Sequence, residues 1–103
     1  MTEPSKPPAP PPMALEIPAN LDAIYSNLAL ITHSPAEVVI DFARRLPNMP
    51  KGRVIARVVM TPLHAKLLLK ALADNLSKFE AQFGEIAIPT GLAEQLFRSP
   101  PPE

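Results

Sequence analysis

The side chains able to do chemistry are few and scattered. His33 and His64 are the only imidazoles, and the chain contains no cysteine. A structural zinc site takes four cysteine or histidine ligands and a catalytic one takes three protein ligands, so two distant histidines complete neither. Glu37, Asp41 and Glu80 are available carboxylates. Acid–base work needs two groups held at a set distance, and no such pairing is legible. Ser26 and Ser34 stand outside any nucleophile-elbow pattern. The three glycines, Gly52, Gly84 and Gly91, are dispersed and form no phosphate-cradling loop. The chain is therefore not expected to be an enzyme, and no cofactor or metal is expected.

One charged cluster stands out. Arg44, Arg45, Lys51, Arg53 and Arg57 gather around the connection between two expected strands. Arg44, Arg45, Arg53 and Arg57 form a candidate anion or nucleic-acid patch. The opposing interpretation is an ordinary sheet rim, and two observations favour it. Aromatic residues are few, with only Tyr25 near this sheet, so a base-stacking platform is unsupported. Ten basic residues are matched by ten acidic ones, which argues against nucleic acid as the main partner.

Three strands and a helix must position these residues. Ile24–Thr32 alternates as a strand, and His33-Ser34-Pro35-Ala36 reads as a turn. Residues 37–46 admit two descriptions. Val38, Ile40 and Phe42 alternate, but Ser34, Pro35 and Glu37 also resemble a helix start followed by an apolar stripe. The β-branched run Val38-Val39-Ile40 favours the strand. Pro47-Asn48-Met49-Pro50-Lys51-Gly52 is a loop, and Arg53–Met60 is the clearest strand. Thr61 and Pro62 then open a long helix as cap and first helical residue. Leu68, Leu72, Leu76, Phe79 and Phe83 mark its buried face, Lys70, Asp74 and Lys78 its solvated one, and Gly84 its stop. Glu85–Ile88 continues extended, and Thr90–Phe97 is a candidate second helix with Leu92, Leu96 and Phe97 facing inward.

Proline marks the ends. Seven of the 15 prolines lie between Pro4 and Pro18, and Pro100, Pro101 and Pro102 lie at the other end. Proline runs adopt extended geometry without internal hydrogen bonds. Residues 1–19 are therefore expected to be a disordered tail, 20–97 a single domain, and 98–103 a second disordered tail. Pro7-Pro8-Ala9-Pro10 fits the loose pattern read by proline-recognising grooves, though such patterns arise freely in proline-rich tracts. No apolar run reaches the length of a membrane span, and Met1–Pro12 carries no signal-peptide apolar stretch, so a cytoplasmic location is expected.

The expected fold class is α+β: a three-stranded antiparallel meander followed by a long C-terminal helix packed on one sheet face. Leu28, Leu30, Val38, Ile40, Phe42, Val54, Val58 and Met60 are expected to receive the helix. The other face keeps Ile31, Val39, Ala43, Ile55 and Val59 among charged residues, more branched aliphatics than a fully wet face carries. Leu63 and Leu67 lie outside the main helical stripe. Ile31, Val39, Ala43, Ile55, Val59, Leu63 and Leu67 are thus candidate interface residues. A domain this small has a marginal core, and without disulfides or metal its extra burial is expected from a second copy, as a homodimer or higher oligomer. Another protein is the second expected partner.

Tyr25-Ser26-Asn27, Ser34-Pro35-Ala36-Glu37, Asp41-Phe42, Arg57-Val58-Val59-Met60-Thr61-Pro62, His64-Ala65-Lys66, Asn75-Leu76, Phe79-Glu80 and Phe83-Gly84 together resemble a short prokaryotic family, domain-of-unknown-function family 3467. That resemblance covers about residues 20–88 and implies a small α+β domain without assigning an activity. A weaker resemblance is to the export chaperone SecB. Ile24–Leu30, Glu37–Ala43 and Arg53–Thr61 are similar to its first three strands, and 83–97 to its closing segment. It implies an oligomer that holds unfolded clients on apolar grooves. The chain departs from that pattern where Met60-Thr61-Pro62 enters the helix directly, in place of a fourth strand.

Overall fold

A computed structural model describes residues 13–91. It contains strand β1 (Leu28–His33), strand β2 (Val38–Arg44), strand β3 (Arg53–Met60) and helix α1 (Pro62–Phe83). The strands form one antiparallel sheet in the order β1-β2-β3. The chain is therefore α+β, a meander followed by a helix. Residues 92–97 of the expected second helix and most of the two expected tails lie outside the described residues. Glu85–Ile88, expected to continue extended, belongs to no helix or strand. No helix among the described residues is long and apolar enough to cross a membrane.

Residues 38–44 are a strand, as their β-branched run favours. A four-residue turn joins β1 to β2: the Ser34 amide donates to the Glu37 carbonyl at 2.9 Å, and its hydroxyl accepts from the Ala36 amide at 3.3 Å. Between β2 and β3, Pro47 and Asn48 occupy the central positions of a turn closed by the Met49 amide on the Leu46 carbonyl. Asn48 has φ 66°, the left-handed conformation that asparagine tolerates at the third position of such a turn.

Register decides which side chains share a face, and it corrects the expected grouping. Leu28 and Leu30 lie opposite Ala43 and Asp41, while Ile31 lies opposite Ile40. Leu28 and Leu30 therefore stand with Val39, Asp41, Arg57 and Val59, and Ile31 stands with Val38, Ile40, Phe42, Val58 and Met60. A shift between Phe42 and Ala43 leaves Ile55 without an opposite number on β2 and turns Val54 to the Leu28 side. One inserted residue inverts the alternation beyond it. The result is an apolar face (Ala29, Ile31, Val38, Ile40, Phe42, Ala56, Val58, Met60) and a face with an ion pair at its centre.

The second correction concerns the helix. Thr61 is the only residue between β3 and α1, with extended backbone (φ −71°, ψ 157°). It directs the helix away from the strands, and α1 makes only marginal contact with them. No residue of α1 is buried. Leu68, Leu72, Leu76, Phe79 and Phe83 are exposed, as are Leu63 and Leu67 on the reverse side. Within one chain the buried apolar residues are Ala29, Ile40 and Ala43 alone among those described.

Candidate interaction surfaces

The ion pair is the most organised polar feature. Asp41 and Arg57 are direct cross-strand partners in the middle of the sheet. Arg57 donates from Nε to Asp41 Oδ1 at 2.6 Å and from Nη2 to Oδ2 at 3.1 Å, a bidentate fork. Asp41 is 6% exposed, whereas the Arg57 side chain stays largely in solvent. The guanidinium hydrogen bonds hold the Asp41 carboxyl below its ordinary range, with burial opposing and the arginine charge assisting. The same contact raises Arg57.

Beside Asp41 lies an open depression lined also by Leu28, Leu30, Ala43, Arg45, Pro50 and Val54. Val59 continues the face and is 53% exposed. The depression combines aliphatic surface with the Asp41 carboxylate, which is engaged by Arg57.

Asn27 has a role that residue types alone did not reveal. Its amide Nδ2 donates to the Arg45 carbonyl at 2.8 Å, and its Oδ1 accepts from the Arg45 amide at 2.9 Å. One side chain thus extends the β1–β2 ladder by a rung. Ser26 Oγ lies 2.9 Å from the Ala43 carbonyl and 3.0 Å from the Leu28 carbonyl, its single proton shared between them. These clasps take over where β1 was expected to continue, so the strand begins at Leu28 and Ile24 and Tyr25 are exposed.

The basic candidates separate. Arg57 is committed to Asp41. Arg44 and Arg53 face each other across β2 and β3 at the end of the sheet, and Arg45 lines the depression through its side chain while its backbone meets Asn27. His64 supports the helix start: Thr61 Oγ1 accepts from the His64 amide at 3.3 Å and lies 2.7 Å from its Nδ1. His33 is exposed at the end of β1. No group of three or more histidine and carboxylate side chains able to hold a metal occurs among the described residues.

The apolar interface candidates fall on different surfaces. Ile31 is on the apolar face and 38% exposed; Val39, Ala43 and Val59 are on the ion-pair face; Ile55 sits in the bulge. Ala43 is buried at 4%, so it contributes backbone and shape more than contact area. Leu63 and Leu67 lie on the side of α1 turned from the main stripe. On the main stripe Phe79 and Phe83 lean together with ring centroids 5.0 Å apart. A groove along it is lined by Leu68, Leu72, Asn75, Leu76 and Phe79.

Comparison with curated proteins and with solved structures gives no match. The model of the family described as protein of unknown function (DUF3467) matches residues 1–88, a span that includes all three strands and the helix, and the chain belongs to that family.

Proposed function

We propose that this protein is a non-catalytic, self-associating module that binds another protein. The carrying observation is the mismatch between apolar content and burial. The chain is 47% hydrophobic, yet three apolar residues are buried among those described, and the leucines and phenylalanines of a 22-residue helix lie open. Contiguous apolar patches beyond a few hundred Å² mark interaction sites. The helix stripe and apolar sheet face serve self-association, and the ion-pair face with Leu30, Val54 and Val59 serves the second protein.

Sedimentation equilibrium of the full chain tests the first part. The expected mass is two chains or more at micromolar concentration; a single-chain mass up to about 100 μM, where even contacts of weak affinity populate, contradicts it. The second part predicts that Val59→Glu leaves the self-assembled mass unchanged and abolishes co-purification of a stoichiometric partner from the native host. Unchanged recovery of that partner contradicts the assignment of this face. Recovery of a broad mixture of unfolded proteins in place of one partner would favour a chaperone-like holder.

A further inference from the structure

Resting on that self-association, we propose a specific arrangement: two copies exchange helices, α1 of each lying across the apolar sheet face of the other. The occupant of each face is thus the stripe Leu68, Leu72, Leu76, Phe79 and Phe83 of a second copy.

The connection between β3 and α1 supplies the first reason. A helix returning over its own sheet needs a turn at the strand end, and connections in such units usually take two to six residues. Here Thr61 alone is available, extended and engaged as the cap, with Pro62 fixing the next residue. The stripe is thereby held off its own sheet. A second copy presents the same uncovered face and the same displaced helix, so one two-fold exchange satisfies both, as closed isologous interfaces do.

Chemistry selects the face. Covering the ion-pair face with leucine and phenylalanine would strip water from Arg57, whose guanidinium is still largely hydrated, and removing a charge from water is costly. The face with Ile31, Val38, Ile40, Phe42, Val58 and Met60 has no charge in its middle. Ile40 at its centre is already 7% exposed, while Ile31 and Val58 flanking it remain 38% exposed, a shallow apolar seat open along its length.

Dimensions agree. The stripe from Leu68 to Phe83 runs about 23 Å at 1.5 Å per residue, and β3 from Arg53 to Met60 runs about 23 Å at 3.3 Å per residue. Two reciprocal contacts bury four surfaces, so about 400 Å² from each is enough to reach the ~1,600 Å² of a standard stable interface. Pairing helix on helix alone would leave both sheet faces bare.

The absence of cysteine allows a direct test. Full-length Leu72→Cys and Val58→Cys, each carrying one thiol, are mixed, unfolded, refolded together and oxidised. Any link between them joins two chains. The expected major product is the mixed disulfide, several-fold above either self-linked product. Leu72→Cys joined chiefly to itself means helix on helix, and Val58→Cys joined chiefly to itself means sheet on sheet; either overturns the exchange. A Val59→Cys control that captures Leu72→Cys better than Val58→Cys places the helix on the wrong face. No mixed product from chains that still sediment as two copies overturns the exchange while leaving self-association intact; a single-chain mass removes self-association itself.

Discussion

Asp41 joins sequence, packing and pH in one residue. Its carboxylate is nearly covered, and the Arg57 fork lowers its pKa from an ordinary 3.8. A carboxylate with a depressed folded pKa stabilises the fold fully above its unfolded value and loses that contribution as pH falls through the folded value. Wild type should therefore be more stable than Asp41→Asn at neutral pH, and the gap between their urea midpoints should close as pH falls below 3.8. A gap that is unchanged at low pH would show that the charge is not the source. Asn27 makes the complementary case for neutral groups. Asn27→Ala removes two hydrogen bonds to the Arg45 backbone, and each is worth about 0.5–1.5 kcal/mol. The expected loss is about 1–3 kcal/mol by chemical denaturation, with β1 fraying first in amide exchange.

At the scale of elements, what could be read beforehand followed how local each signal is. Residues 38–44 and 53–60 carry period-two alternation and β-branched runs, and Thr61, Pro62 and Gly84 bracket the helix by their own backbone chemistry. Those boundaries were legible. The phase of one strand against the next was not, because it depends on a turn length and on a bulge at Ile55 that alternation does not encode. The start of β1 was misplaced for a similar reason: Ser26 and Asn27 supply side-chain rungs where the strand was expected to continue. Glu80, which accepts the Ile86 amide at 2.8 Å, anchors the chain as it leaves α1. Gly84 sits there at φ 101°, ψ 162°, a region reserved for glycine. Gly84→Ala should cost on the order of 1–3 kcal/mol and melt the segment after Phe83 while sparing the sheet; an unaltered melting curve would contradict the strain.

At the scale of the whole molecule, the expectation that helix and sheet cover each other within one chain met a one-residue connection that holds them apart. The pattern finds the apolar stripe of the helix, assigns Leu28, Leu30, Val54 and Ile31 to the wrong sheet faces, and is silent about what covers either surface. His33, His64 and the scattered carboxylates remain unassembled into a metal group among the described residues, and the arginines divide between an ion pair and the sheet's end. The organised features are surfaces.

The most direct measurement is the thermal midpoint of the full chain across a hundredfold range of concentration. If burial between copies completes the core, folding is linked to association and the midpoint climbs steadily with concentration. A midpoint that stays fixed across that range, with a sharp cooperative transition, would mean that one copy is stable alone.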